Sequence, residues 1–315
     1  MPVNFRCVDL NLIKSTYPFN EDWPDYCINL DRWKPCYTNN FATVGCQGVI
    51  GKNLTRDLLP IFMGGTHKKH TQNKIGDSIT IQFSKRQISH AFLLGDNFYD
   101  DGLDPNPSAS AHTSNMVRFK KCFHDIYRLP SWAVLGNHDY KVHGATEHGH
   151  GFHRALGAVV TRSDRGYSNL EAGMVQVMHT YDQQANPMVE GKRNWNMPNR
   201  YYALFSERAD FFCMDSNTFP FDKDQQYWLK EAYAFSCQNS DNIKVLVQHH
   251  PYLAFGKRLL KYEDDINLYG KSFGFDEASI KAIVDRHASS HAHSGLGGLI
   301  ESMHLNMGID FNLML

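Results

Sequence analysis

The chain has 315 residues, 42% hydrophobic and 21% charged, with a formal net charge of -1. The length suits one large α/β domain, and the balanced charge excludes charge-driven binding to nucleic acids or membrane surfaces. No apolar run reaches the length of a membrane span, and the first 20 residues lack the pattern of a secretory signal. Seven cysteines without CxxC spacing predict neither a disulfide framework nor a cysteine zinc site, which favours a reducing compartment over secretion.

The first part of the chain differs in character from the rest. Residues 1–57 combine Pro, Trp, Tyr and Cys with little periodicity, which predicts an irregular N-terminal extension. Its aromatic side chains either pack against the main domain or form a lid or docking surface. Residues 58–63, with the sequence LLPIFM, predict the first strand of a catalytic domain that runs from residue 58 to residue 315.

Four later apolar segments run directly into polar motifs. The motifs are Gly95-Asp96-Asn97, Gly136-Asn137-His138-Asp139, Gln248-His249-His250-Pro251 and His291-Ala292-His293. Such residues favour turns for conformational reasons alone, but four strand ends that all carry metal-capable side chains favour a shared site. Carboxylate, amide and imidazole groups suit Zn, Mn or Fe better than a thiolate-rich structural zinc. The sequence therefore predicts a metal centre at the strand ends.

Helices are expected between these strands, because parallel neighbours need a crossover connection. Residues 74–87, 114–127, 224–235 and 277–285 are predicted as helices, the second and third from apolar residues at helical spacing. Residues 201–205 and 210–214 are predicted as adjacent strands, and residues 243–247 as a buried strand. The pattern is typical of an α/β fold.

The ordered motifs GDNFYDDG, GNHDY, HHPY and HAH resemble those of the calcineurin-like metallophosphoesterase superfamily. Tyr99, three residues after Asp96, resembles the purple acid phosphatase branch in particular, and the resemblance covers about residues 58–295. It implies a four-layer α/β/β/α sandwich of two mixed sheets. It also implies a dinuclear centre of divalent or trivalent ions, either Fe, Mn or Zn.

The resemblance assigns roles to individual residues. His138 would contact the phosphate or the leaving group, and Asp139 would orient the His138 imidazole. The histidine two places before proline is the ligand in the family pattern, which selects His249 over His250. The implied metal ligands are Asp96, shared by both metals, then Asn137, His249 and His291 on the second metal, and Tyr99 and His293 on the first.

The first motif departs from the family, which has an aspartate after the first strand in a Gly-Asp-x-His or Gly-Asp-x-Gly pattern. An alignment of Gly64-Gly65-Thr66-His67 with that pattern puts Gly65 at the aspartate position. Three outcomes are open: His67 substitutes as a ligand, the first metal binds weakly, or the centre is inactive. His67 is alternatively a surface histidine beside Lys68.

These features predict a metal-dependent phosphatase, in which the ions activate hydroxide to attack a phosphomonoester such as a phosphoprotein. One alternative is a catalytically degenerate binding protein that keeps the fold. Another is a phosphodiesterase or nucleotidase, because one metal centre serves all these substrates. Four histidines in residues 143–153 either line the substrate pocket or lie in a solvated loop.

Overall fold

The computed structural model describes residues 5–33, 41–44, 68–98, 102–140, 169–249, 276–288 and 311–313. The helices in these ranges are α1 (Leu10–Thr16), α2 (Leu30–Trp33), α3 (Lys68–Ser84), α4 (Ala109–Phe119), α5 (Asn169–His179), α6 (Lys223–Asn239) and α7 (Glu277–Ala288). A π-helical turn, Lys120–His124, continues α4, and a 3-10 turn comprises His138–Tyr140. None of the described helices is both long and apolar enough to cross a membrane.

Eleven strands are found in the described ranges, and they form two large sheets and one hairpin. They are β1 (Cys27–Asn29), β2 (Phe41–Val44), β3 (His90–Leu93), β4 (Ser131–Ala133), β5 (Met188–Val189), β6 (Lys192–Arg193), β7 (Trp195–Asn196), β8 (Tyr202–Phe205), β9 (Ala209–Cys213), β10 (Ile243–Val247) and β11 (Phe311–Leu313). The first sheet has the order β2-β3-β4-β7, and all its pairings are parallel. The second sheet has the order β1-β8-β9-β10-β11, in which only β8 and β9 pair antiparallel. The protein thus has a mixed α/β fold, although the first sheet is parallel rather than mixed in its described strands.

The two sheets pack face to face through aromatic side chains. The rings of Phe92 on β3 and Phe211 on β9 have their centroids 4.9 Å apart. The hydroxyl of Tyr202 on β8 donates a hydrogen bond of 2.9 Å to the carbonyl oxygen of Ala133 on β4. Tyr202 and Ala133 are both buried, so this hydrogen bond holds the two sheets together.

Most of the predicted elements are confirmed. The helix predicted over 74–87 is α3, the helices at 224–235 and 277–285 are α6 and α7, and the strand at 243–247 is β10. The paired strands predicted at 201–205 and 210–214 are β8 and β9. The helix predicted over 114–127 begins earlier, at Ala109, because Ser108 caps it: its hydroxyl accepts a hydrogen bond from the backbone N–H of Ala111.

The N-terminal segment is more regular than its composition suggested. It supplies β1 to the second sheet, where Cys27 pairs with Ala203, and β2 to the first sheet, where Val44 pairs with Leu93. The prediction of an irregular extension is therefore wrong for these strands. The first strand predicted at 58–63 lies outside the described residues, and β2 is the strand that pairs with β3 on that side.

A buried histidine pair joins α5 to the π-helical turn that follows α4. The Oδ1 atom of Asn194 lies 2.6 Å from Nδ1 of His124, and the Nε2 atoms of His124 and His179 are 3.0 Å apart. Because the Asn194 amide nitrogen donates to the carbonyl of Leu129, its Oδ1 must accept from His124. His124 therefore presents a lone pair at Nε2, which accepts the Nε2–H of His179, and both rings are neutral.

This pair predicts a loss of stability in acid. Burial lowers the pKa of His179 from 6.5 to about 2, and it also lowers the pKa of His124. Below pH 6.5 the unfolded chain binds protons at these histidines that the folded chain does not bind. The contribution of the neutral pair to the free energy of unfolding is therefore complete above pH 6.5 and decreases as the pH falls below that value. We expect His179→Gln to reduce the slope of unfolding free energy against pH between 4.5 and 6.5 by up to about 1.4 kcal/mol per pH unit. Chemical denaturation across that range measures the slope, and an unchanged slope would contradict the neutral pair.

Candidate metal centre

Three loops from the two sheets meet at the carboxyl ends of β3, β4 and β10. The loop after β3 carries Asp96, the loop after β4 carries Asn137, and His249 follows β10. The contact across the sheets is direct, because Nδ1 of His249 lies 2.9 Å from the carbonyl oxygen of Leu94. Asp96 is 3% exposed and His249 is 7% exposed, so both lie largely away from solvent. The predicted meeting of strand ends is therefore observed for these three residues.

Two glycines permit this close approach. Gly95 has a φ of +85° and a Cβ there would lie 2.8 Å from Nδ1 of His249 and from the backbone N of Gly136. A Cβ at Gly136 would collide with the backbone N and the carboxylate of Asp96. Asp96 itself has a φ of +51°, a left-handed conformation that aspartate tolerates better than most residues. The loops can reach one another only because neither glycine carries a side chain.

The atoms of these three side chains that could bind a metal ion lie close to one another. Nε2 of His249 lies 3.1 Å from Oδ1 of Asn137 and 3.4 Å from Oδ1 of Asp96. The bond from His249 Nδ1 to the Leu94 carbonyl places the proton on Nδ1, which leaves a lone pair on Nε2. Two oxygen acceptors thus lie within 3.4 Å of the Nε2 atom of His249, a spacing at which one cation could bind all three atoms.

The spacing of these atoms fits a transition-metal ion. Ligand atoms about 2.1 Å from a common ion lie about 3.0 Å apart in octahedral and about 3.4 Å apart in tetrahedral geometry. The two measured separations, 3.1 and 3.4 Å, fall at these values. Within the described ranges, no group of three or more His, Cys, Asp or Glu side chains is placed to bind a metal ion. The cluster described above has only two such residues, Asp96 and His249, and its third side chain is the amide of Asn137.

Asp139 joins two loops of the site through backbone hydrogen bonds. Its carboxylate accepts the backbone N–H groups of Gly136 at 2.8 Å, Asn97 at 3.1 Å and Phe98 at 3.1 Å. It therefore ties the loop after β4 to the loop after β3, and its expected role in orienting the His138 imidazole stays a prediction. Burial raises the pKa of Asp139 to about 7, with a further contribution from Asp96, while the backbone N–H groups of Gly136 and Asn97 act in the opposite direction.

His138 is held at the same place through its backbone. Its N–H donates a hydrogen bond of 2.9 Å to Oδ1 of Asp96, and its side chain is only half-buried. The 3-10 turn that begins at His138 fixes this geometry. The backbone of His138 is thus anchored to Asp96, and the contact of its imidazole with substrate stays a prediction.

Helix α5 contacts the loop that carries Asp96, a contact that the sequence did not predict. Asn97, next to Asp96, donates from its amide nitrogen to the carbonyl of Val134 at 2.8 Å and to Oε1 of Gln176 at 3.1 Å. Gln176 is buried on α5, whose residues also contact the His138–Tyr140 turn. No sequence signal marked Gln176, because a glutamine within a helix is ordinarily exposed and the partner lies 79 positions away.

The remaining predicted site residues lie outside the described residues. These are Tyr99, His67, His250, His291, His293 and the histidines of residues 143–153. Their roles as ligands or pocket residues stay predictions.

Comparison with known proteins gives partial relatives among phosphatases. Purple acid phosphatase 17 of Arabidopsis thaliana is 38% identical over 77 residues, which are 23% of this chain and 18% of that protein. Purple acid phosphatase 7 of the same plant is 26% identical over 154 residues, 47% of this chain and 33% of that protein. The matched part of this chain thus spans a third or less of each relative's length.

The comparisons also include a solved structure and a family model. The structure described as "GAP50 the anchor in the inner membrane complex of Plasmodium" gives a TM-score of 0.38 at 17% identity, over 75% of this chain and 63% of that chain. The model of the calcineurin-like phosphoesterases matches residues 75–295, a range that contains Asp96, Asn137 and His249. Since that range is well over half of the sequence, the protein belongs to the calcineurin-like phosphoesterase family.

Proposed function

We propose that this protein is a metal-dependent phosphomonoesterase. The observation that carries the proposal is that Oδ1 of Asn137 and Oδ1 of Asp96 lie 3.1 and 3.4 Å from Nε2 of His249, at the carboxyl ends of strands from two sheets. Family membership supplies the reaction class, and purple acid phosphatases are among the relatives. His291 would complete the ligand set of this metal, and Tyr99, His293 and the shared Asp96 would bind the other.

The chain's own residues would bind, orient and protonate the substrate. Fe, Mn or Zn ions, when bound, supply Lewis-acid polarisation of the phosphate and activate water. Asp96 fixes the backbone of His138 at 2.9 Å, so the imidazole has a defined starting position beside the ester. His138 would give a proton to the departing oxygen, which lowers the barrier to leaving-group departure. No covalent phosphoenzyme is expected, because the described cluster offers no serine or cysteine nucleophile.

The position of β2 changes the proposal for the first metal. Val44, at the end of β2, pairs with Leu93 of β3, so the two parallel strands end at the same edge of the sheet. The sequence that follows β2 is Gly45-Cys46-Gln47-Gly48, which matches the family's Gly-Asp-x-Gly pattern with cysteine for aspartate. This tetrapeptide lies outside the described residues, as does Gly64–His67. We propose that Cys46, rather than Gly65, occupies the aspartate position of the family pattern.

The finer architecture is also proposed rather than observed. The face-to-face packing of the two sheets and the helices between their strands support a four-layer α/β/β/α sandwich. We retain residues 58–315 as the main catalytic region, but β1 and β2 extend its sheets into residues 1–57. The N-terminal segment is therefore proposed as part of the same domain.

Metal analysis combined with an enzyme assay tests the function. Purified full-length protein should bind Mn, Zn or Fe and hydrolyse p-nitrophenyl phosphate only when the metal is present. Absence of both metal and turnover under every condition would contradict the proposal and leave the degenerate binding protein as the function. Faster hydrolysis of bis(p-nitrophenyl) phosphate than of the monoester would favour the phosphodiesterase alternative.

The natural substrate is proposed only as a class. The family implies a phosphorylated substrate, and a phosphoprotein is one member of that class. A panel of phosphopeptides against nucleoside monophosphates separates the two kinds of substrate, because both carry the same phosphate and differ only in what the pocket walls contact. A preference for nucleotides would contradict the phosphoprotein assignment.

A further inference from the structure

A buried polar network connects the loop after β9 with the metal-centre loop after β4. The hydroxyl of Tyr140 donates a short hydrogen bond to Oδ2 of Asp215. The amide nitrogen of Asn217 donates to the carbonyl oxygen of Leu135 at 3.2 Å. These contacts hold both ends of residues 135–140, the segment that contains Asn137 and His138. The loop is therefore fixed on each side of its functional residues.

The loop after β9 is also joined to β10, the strand that His249 follows. The backbone N–H of Met214, next to Asp215, donates to the carbonyl oxygen of Val247 at 2.9 Å. Val247 ends β10, two residues before His249. A continuous path thus runs from Asn137 on the first sheet, through Tyr140 and Asp215, to His249 on the second.

A buried arginine holds Asp215 in place. Arg200 is 1% exposed, and it donates to Asp215 at 3.1 Å and to Asp222 at 2.8 Å. Asp222 also caps α6, where its carboxylate accepts the backbone N–H of Gln225 at 3.0 Å. Thr218 adds a bond of 2.7 Å to Asp215. The cost of burying these charges is offset only if the whole network keeps its geometry, so its position is well defined.

We propose that Tyr140, Asp215 and Asn217 are positioning residues that set the separation between Asn137 and His249 across the two sheets. The 3.1 Å between Oδ1 of Asn137 and Nε2 of His249 depends on loops from different sheets, and this network is one of the links between those loops. The inference rests on the proposed function, since the separation matters because a metal would use both atoms. None of the three residues is itself assigned as a ligand.

Tyrosine-to-phenylalanine variants provide a matched test. Tyr140→Phe removes the bond to Asp215, which keeps its partners Arg200 and Thr218. Tyr202→Phe removes an equally buried bond between the sheets, to Ala133, but that bond lies outside the 135–140 segment. Both variants should lose similar stability. Only Tyr140→Phe should weaken Mn²⁺ binding, by about 10- to 100-fold in Kd, as loss of support behind a metal ligand does.

Titration calorimetry of the full chain with Mn²⁺ measures these constants. Asn217→Ala, which releases the other end of the segment, should weaken Mn²⁺ in the same way and guards against a folding defect specific to one variant. Unchanged binding in both variants, or equal weakening in Tyr202→Phe, would overturn the positioning role. If the unaltered protein binds no Mn²⁺, the proposed function fails, and crystal structures of the two tyrosine variants decide the positioning role separately. The Asn137 to His249 separation should then lengthen in Tyr140→Phe alone, and a retained 3.1 Å would refute the inference.

Discussion

Replacement of Asp96 by asparagine should abolish metal binding while leaving the fold intact. The change removes the one negative charge among the three converging donor atoms, and hard or borderline cations depend on that charge. Phosphomonoester hydrolysis should fall by at least about 100-fold, because loss of a ligand exceeds the effect of losing the group behind it. Asparagine has nearly the same shape and can still accept the N–H of His138.

Thermal unfolding separates this loss from misfolding. Without metal, Asp96→Asn should unfold at the same temperature as the unaltered protein or slightly higher, since Asp96 raises the pKa of the buried Asp139 by charge repulsion. With metal at about 100 times its Kd, the unaltered protein should gain about 2.7 kcal/mol and the variant nothing. Asp104→Asn, at another buried carboxylate, is the control and should keep the gain. A metal-dependent gain in Asp96→Asn would contradict the assignment of Asp96.

A second substitution should increase activity rather than remove it. Cys46→Asp restores the carboxylate of the family's Gly-Asp-x-Gly pattern after β2, in Gly45-Cys46-Gln47-Gly48. The added anionic oxygen should tighten the first metal by about 10-fold or more and raise turnover with it. Elemental analysis should show metal content rising from a single ion toward a pair of ions per chain.

Gly65→Asp is the matched variant for this prediction. It restores a carboxylate in the other candidate motif, Gly64–His67, and should leave metal content unchanged if β2 is the first strand of the sheet. A gain in Gly65→Asp without one in Cys46→Asp would reverse the alignment. No gain in either variant would show that neither loop supplies the first metal, which would favour a mononuclear centre.

Sequence patterns were sufficient where a strand leads directly into the site. The apolar runs before Asp96, Asn137 and His249 predicted buried strands, and parallel strands bring their carboxyl ends to one edge. That rule accounts for Asp96 and Asn137, which follow neighbouring strands of the first sheet, whereas His249 follows β10 of the second sheet and reaches them through the contact between the sheets. Their role as metal ligands stays a prediction, since it rests on the spacing of three atoms that a metal ion could bind.

Other features depend on contacts that leave no local pattern. Asp139 accepts backbone N–H groups from two loops, and any sequence could supply those donors. The network around Arg200 and Asp215 joins residues whose partners lie on other elements, so its members looked like isolated polar residues. β2 is only four residues long and lies in a segment of mixed composition. The more hydrophobic residues 58–63 therefore gave the stronger sequence signal for a first strand. Tertiary pairing, rather than local preference, selects that strand.

The most direct measurement is anomalous X-ray scattering from crystals of the protein soaked in Mn²⁺. A metal centre at the strand ends predicts a peak about 2.0–2.3 Å from Oδ1 of Asp96, Oδ1 of Asn137 and Nε2 of His249. Crystals that show no peak at this point with Mn²⁺, Zn²⁺ or Fe²⁺ at saturating concentration would contradict it.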